Sequence, residues 1–279
     1  MPELPEVQTV VDTLKKRLLG ARITAVKLSR RDVLDPPDAE LPALLMGRAV
    51  RSIDRRGKRI IFTLDDTNRF FIHLGMSGRL SVNSAADPLV AHTHLILDVE
   101  PGPKFATNGP IQLRFQDPRR FGGIWWKGND PIDSGMGPEP LTITPKQLTR
   151  QLASTTRAIK NALLDQTVIA GLGNIYVDES LFAAGIHPLT PVDQLTQDQI
   201  RKLNRAIKTV LRHALRHRGS TLRDYRDAEG NAGAFQSMHS VYGHEADPCR
   251  VCTTPIVRIV LGGRSTHFCP KCQRGSQKL

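Results

Sequence analysis

Before Cys249 this 279-residue chain contains no cysteine, and all four of its cysteines fall between Cys249 and Cys272. A disulfide framework spread over the fold is thereby excluded, and a local metal site is indicated instead. Long apolar runs are missing too. None approaches the ~20 residues that cross a bilayer, and no basic start followed by an apolar stretch marks the N-terminus for export, so the expected location is the cytoplasm. Acids are scarce: 27 against 39 lysines and arginines, a formal net charge of +12. That surplus points to a polyanion, either nucleic acid or an anionic membrane, although a basic surface can also serve solubility alone. Internal repeats, low-complexity tracts and coiled-coil heptads are absent from the sequence. At 39% apolar content the chain can bury a substantial core without help from a metal, as one large domain or two of ordinary size.

The spacing of Val7, Val10, Val11, Leu14 and Leu18 predicts a helix over 6–18, with Pro5 suited to a first turn and Gly20 just past the end. From about 22 to 126 the pattern changes to short β-rich runs at 22–28, 59–64, 70–74, 95–99 and 112–115, with Trp125 and Trp126 closing the last strand. Many short strands without intervening helices predict an antiparallel sandwich or barrel carrying the N-terminal helix. Residues 131–145 are rich in proline and glycine, as a linker would be. Helical patterns follow at 147–152, 157–164, 174–184 and 196–217. The last opens on Thr196 and Gln199 as a capping box and carries Arg201, Lys202, Arg205, Lys208 and Arg212 on its polar face. The expected division is a first domain over 1–130, a linker over 131–144, a helical domain over 145–244 and a terminal module over 245–279.

That module reads Cys249-Arg-Val-Cys252, sixteen residues, then Cys269-Pro-Lys-Cys272. Each pair presents two thiolates from one tight turn, and two such turns complete a tetrahedral site for one structural zinc ion with no vertex left for water. Between the pairs, 256–261 and 264–268 flank Gly262-Gly263, which predicts a β-hairpin. Arg264 would stand near its tip, either aimed at an external partner or simply solvated.

The N-terminus reads Met1-Pro2-Glu3-Leu4-Pro5-Glu6. Removal of Met1 would expose a secondary amine that becomes a cationic iminium when it attacks carbon. An α-amino group titrates near ~7.7–8.0, so a useful fraction is nucleophilic at neutral pH. Glu3 and Glu6 lie within reach of that amine as a proton donor and a stabiliser of positive charge. Acids placed there only for the helix dipole are the other reading.

Several stretches carry a family resemblance: Pro2-Glu-Leu-Pro-Glu-Val7, Arg56-Gly-Lys58, His73-Leu-Gly-Met-Ser-Gly78, Asp117-Pro-Arg-Arg-Phe-Gly122, Gly171-Leu-Gly-Asn-Ile-Tyr176 and the CxxC pairs with Arg264. Over nearly its whole length the chain resembles the bacterial formamidopyrimidine-DNA glycosylases. The resemblance implies an N-terminal β-sandwich, a helical domain with a helix-two-turns-helix motif and a β-hairpin zinc finger, with duplex DNA between them and the protein acting as a monomer. The α+β multidomain chain would then excise oxidised purines, attached to DNA through a Schiff base on Pro2, and nick the strand by β,δ-elimination. Location would be cytoplasmic, at the nucleoid when acting.

The resemblance also assigns residues. Glu3 would protonate the deoxyribose ring oxygen with Glu6 supporting it, while Lys58 and Arg264 would act at the phosphates beside the lesion. Met76, Arg119 and Phe121 would fill the hole left by an everted base, arginine pairing with the orphaned cytosine. On the residues alone, Met76 and Phe121 read first as core and His73 as a satisfied core histidine. The resemblance adds His73, His92, Lys160 and Asn174 to the DNA-binding set, Asn174 as the cap of a helix whose free N–H groups suit a phosphate. It likens a loop at about 220–237, with Gly230 and Gly233, to the cover of an everted purine. Ala232 and Ala234 stand where bulkier side chains can occur, so the choice between 8-oxoguanine and ring-opened purines stays open. Two rivals remain: a non-catalytic damaged-DNA-binding zinc protein, and a pyrimidine-lesion glycosylase of the same superfamily. Leu4 and the intact Leu74-Gly-Met-Ser77 segment weigh against the second.

Overall fold

Helix α1 (Leu4–Leu18) starts two residues before the apolar spacing predicts, because Glu3, in extended conformation, already serves as its N-cap and Pro5 fits the first turn. Its apolar face, Val7 to Leu18, is buried. This computed structural model describes residues 1–102, 110–133 and 135–274. The chain forms two compact units, one of Met1–Ser134 with Arg218–Ala234, the other of Gly135–His217 with Phe235–Leu279.

In the first unit α1 is followed by β1 (Arg22–Leu28), β2 (Leu34–Asp35), the short helix α2 (Leu41–Leu45), β3 (Val50–Arg56), β4 (Arg59–Leu64), β5 (Arg69–His73), β6 (Arg79–Ser84), β7 (Thr93–Glu100), β8 (Ile111–Gln116) and β9 (Gly123–Gly128). They build a four-stranded sheet in the order β1-β7-β8-β6 and a five-stranded sheet in the order β2-β9-β5-β4-β3. All pairings are antiparallel except β2 with β9, which is parallel. Strands β3 and β6, which are not among the runs named from the sequence pattern, lie at sheet edges. Inward residues such as Phe62 and Phe70, stacked at 4.7 Å, form the core. The returning segment 218–234 completes it. Ala228 is buried, accepts the N–H of Val82 on β6 at 2.9 Å, and donates to Thr13 Oγ1 on α1 at 3.3 Å.

The second unit contains α3 (Pro145–Leu152), α4 (Ile159–Leu164), α5 (Asn174–Ala184), α6 (Gln197–Arg216) and the hairpin β10 (Val257–Leu261) and β11 (Arg264–Phe268). The Thr196–Gln199 capping box of α6 is reciprocal, with bonds of 2.8 and 3.2 Å. Helix α4 begins at Ile159, two residues later than expected, because Ala158, at ψ 137, is non-helical and bridges to Pro191. Helix α5 is the central rod: Ile175 to Leu181 are all buried, and Gly185 ends it in the left-handed region. Among the described residues no helix is long and apolar enough to cross a membrane.

Candidate active site

Pro2, Glu3 and Glu6 are all buried at the start of α1. Acids serving only a helix dipole would sit in water, because burying a carboxylate costs several kcal/mol unless its oxygens are hydrogen-bonded. Those of Glu6 are. Oε2 accepts the Glu3 N–H at 2.8 Å and Oε1 accepts the Ser220 N–H at 2.7 Å. One carboxylate thus fixes the extended residue after Pro2 and ties it to the segment 218–234. That segment turns through two left-handed residues, Arg218 and Gly219. A Cβ on Gly219 would lie 2.5 Å from Glu6 Oε1, so only glycine lets the chain approach. Tyr225 closes the arrangement by donating its hydroxyl to the Glu6 carbonyl at 3.2 Å. Burial and the nearby Glu6 charge push its phenol far above its ordinary value, so it stays a neutral donor.

The rest of segment 218–234 is organised by Asp227, whose Oδ1 accepts the N–H groups of Glu229 and Asn231 and whose other oxygen pairs with Arg218. Gly233 donates to Thr221 Oγ1 at 2.9 Å and packs backbone to backbone on Gly219.

Lys58 follows Gly57 in the two-residue turn between β3 and β4, with Gly57 at φ +55. It is almost fully buried. His73, at the end of β5, is held down to about 4 by burial and by the charges of Lys58 and Arg59. Its Nδ1 accepts the Gly75 N–H at 3.1 Å. It is therefore neutral near pH 7 and brings no charge to a phosphate.

Met76 and Phe121 are exposed, at 46% and 57%, which settles against a core role for either. The Arg119 guanidinium lies 4.9 Å from the Phe121 ring centroid. The loops that carry these three side chains are fastened by Asp117, to which the sequence reading assigns no role. Fully buried, it accepts from Ser77 Oγ at 2.6 Å, from the Arg119 N–H at 3.3 Å and from the Gly122 N–H at 2.8 Å. His92 is exposed, at φ +64, and its carbonyl accepts the Asp117 N–H at 3.1 Å.

In the second unit two expectations are corrected. Lys160 is 0% exposed, so it cannot touch an external phosphate. Its Nζ donates to Asp178 Oδ1 on α5 at 2.7 Å and to the Ser265 carbonyl on β11 at 2.8 Å, while the other oxygen of Asp178 accepts the His267 N–H at 2.9 Å. Asn174 does not cap its helix. Gly173 is the N-cap, and Asn174 Nδ2 donates to the same Ser265 carbonyl at 2.9 Å. Lys160 and Asn174 are positioning residues for the hairpin, whose exposed tip bears Arg264 beyond the two left-handed glycines 262 and 263.

The thiols of Cys249, Cys252, Cys269 and Cys272 all lie within 4.8 Å of one another, two pairs at 3.9 and 3.4 Å. A tetrahedron of Zn–S bonds of ~2.3 Å requires sulfurs about 3.8 Å apart. Backbone N–H groups of Val251 and Cys272 reach Cys249 and Cys269 sulfurs at 3.4 Å, as suits thiolates. The site fits one structural zinc.

Three family models cover most of the chain: the formamidopyrimidine-DNA glycosylase N-terminal domain over 1–124, the H2TH domain of the same enzymes over 136–226, and a zinc finger found in FPG and IleRS over 246–275. The formamidopyrimidine-DNA glycosylase of Chloroflexus aggregans is 44% identical, with 98% of each chain covered. Among solved structures, that of a Lactococcus lactis FPG mutant in complex with a Fapy-dG containing DNA has a TM-score of 0.89 at 35% identity, over 98% of this chain and 100% of that one. That of the Lactococcus lactis Fpg with an abasic site containing DNA has the same score and identity, over 98% and 99%. With a buried Pro-Glu start, clustered cysteines and these matches along its length, the chain belongs to the formamidopyrimidine-DNA glycosylase family.

Proposed function

We propose that this protein is a bifunctional DNA glycosylase and abasic-site lyase of base excision repair, acting as a monomer on oxidised purines in duplex DNA. The observation that carries the reading is the buried start of α1, where Glu6 holds the residue after Pro2 through a 2.8 Å bond and is itself held by Ser220. Cleavage of the Met1–Pro2 bond frees the Pro2 nitrogen. That amine attacks C1′ of the damaged nucleotide, and the C1′–N bond breaks as the base leaves with a proton. Glu3 protonates O4′, the sugar ring opens, and nitrogen and C1′ form the iminium. The iminium acidifies C2′–H, so β-elimination expels the 3′-phosphate and δ-elimination the 5′-phosphate. Lys58 and Arg264 supply positive charge at those phosphates. Met76, Arg119 and Phe121 occupy the stack vacated by the everted nucleotide, and segment 218–234 covers the lesion.

Within this reading, 1–130 is the catalytic domain, 131–144 a linker, 145–244 the helical DNA-binding domain and 245–279 the zinc finger, and the protein works in the bacterial cytoplasm. The relatives with solved structures are crystallised with Fapy-dG and abasic-site DNA, which supports the substrate class.

The test is borohydride trapping on a duplex with one 8-oxoguanine opposite cytosine, followed by mass mapping. The expected product is a covalent adduct at Pro2, absent in Pro2→Gly. If Met1 is shown to be gone, DNA is bound, and neither the 8-oxoguanine nor an abasic-site duplex is trapped, the nucleophile is wrong.

A further inference from the structure

The five-stranded sheet has an unusual outer face. Its inner face buries Ile60, Phe62, Phe70, Ile72 and Ile124 in the core. The alternate residues, which point the other way, include the aromatics Phe71, only 3% exposed, and Trp125 and the cations Arg59 and Lys127, with Ile61 and Thr63 among them. Phe71 on β5 and Trp125 on β9 are register partners, with rings stacked at 5.0 Å and 7°. The Arg59 guanidinium lies over the Phe71 ring at 4.5 Å. Trp125 has been given room: a Cβ on Gly123 would fall 3.1 Å from its indole. Arg59, Phe71 and Trp125 line an open pocket of about 460 Å³ together with Asp35, His73, Phe121 and Lys127.

Aromatic and guanidinium planes set on the open face of a β-sheet, with cations beside them, are the physical means by which proteins stack unpaired bases and hold their phosphates. Arg59, whose Nη1 also donates to the Ile132 carbonyl at 2.6 Å, and Lys127 set two positive charges against the Asp35 carboxylate, the nearby Asp133 being paired with Arg56. The pocket is continuous with Phe121, the exposed ring assigned above to the DNA stack.

We infer that this outer face is a second nucleotide site, which takes one unpaired DNA nucleotide with its base against Trp125 and its phosphate toward Arg59 and Lys127. The inference rests on the reading of the chain as a DNA-repair enzyme. It adds a place for a base that has left the helix beside Phe121, distinct from the nucleotide held at Pro2.

The chain has only two tryptophans, so Trp126→Phe leaves Trp125 as the sole indole reporter. Adding a five-residue oligothymidylate, or a duplex with a single unpaired thymine, should quench its emission saturably, whereas a fully paired undamaged duplex should not. Quenching by the free oligomer alone would place the site on separate single strands and overturn its role in the bound duplex. Trp125→Leu should weaken binding of the bulged duplex about 5- to 150-fold while leaving borohydride trapping on abasic DNA intact. Should that variant fail to fold, Lys127→Gln carries the test, with a salt dependence shallower by about 0.7 in log-log slope. Unquenched emission, or unchanged affinity and slope in the variants, refutes the site. Failed trapping in the parent protein with quenching retained would instead refute the lyase reading and leave this site standing.

Discussion

Ser220 donates its backbone N–H to the carboxylate of Glu6 at 2.7 Å, joining residues 214 positions apart. Because the other oxygen of Glu6 holds the Glu3 amide, movement of the 220 turn is transmitted to the residue beside Pro2. Glu6→Gln must turn an NH2 group toward one of two N–H donors, which costs about 1–3 kcal/mol. Gly219→Ala puts a methyl against the same carboxylate at a left-handed φ of +77. Both variants should lower excision turnover by an order of magnitude or more while duplex affinity changes little. Single-turnover rates alongside anisotropy titrations check this, and an equal loss in both would place Glu6 in binding instead.

Asp117 fastens the loops of Met76 and of Arg119–Phe121 through Ser77, Arg119 and Gly122. Asp117→Asn keeps the shape but removes acceptor capacity from a buried triple contact. Excision of 8-oxoguanine, which requires eversion of a paired nucleotide, should fall about tenfold or more, and nicking of a preformed abasic site much less. Equal losses on the two substrates would show that Asp117 does not act through the loops of Met76 and Arg119–Phe121.

How much of this is legible in the sequence divides along sequence distance. The Pro2–Glu6 segment, the capping box at Thr196 and each CxxC pair are local, and each shows its residue types within a few positions. Asp117 reaches back 40 residues to Ser77 and Lys160 reaches 105 to Ser265, links that leave no periodicity in the sequence. Lys160 is misread for that reason: a lysine among apolar helical neighbours gives no sign whether its charge faces water or an Asp178 on the next helix. Composition alone favours the core for Met76 and Phe121, since apolar type does not distinguish a core side chain from an exposed wedge, and it is the family resemblance that sets them outside.

Lys160→Met leaves Asp178 buried beside His267 without its cation. Breaking one side of a buried pair costs roughly 3–5 kcal/mol, so thermal stability of the helical unit should fall and DNA affinity with it, as the Arg264 hairpin loosens. Lys160→Met combined with Asp178→Asn should recover part of the stability. Calorimetry of the two variants decides, and a double mutant no better than the single would mean that the pair is not coupled.

Chelation of zinc should loosen the hairpin of β10 and β11, since the apolar cluster around the four cysteines holds little besides Val241, Ile256 and Phe182. The expected result is loss of duplex binding with the β-sandwich circular dichroism retained. Metal analysis should give one zinc per chain, and none in Cys252→Ser with Cys269→Ser.

His73 and His239 are each held at about 4, chiefly by burial, against ~6.5 in an unfolded chain. The unfolded state therefore binds protons that the folded state refuses. Their contribution to stability is complete above about pH 6.5 and is lost as pH falls toward 4. Urea midpoints should decline over that window, and His73→Asn should flatten the decline. A midpoint independent of pH between 6.5 and 4 would contradict the neutral state of both rings.

The contact of Ala228 with Val82 has a consequence for biosynthesis. Strand β6 is a sheet edge, and the backbone that pairs with it comes from a segment the ribosome reaches only after the whole of α6. Throughout that interval a nascent β-sandwich displays an uncovered edge, the kind of template on which chains pair with one another. Fragments ending before residue 218 should inherit the same exposure for good, and aggregate where the intact protein stays dispersed.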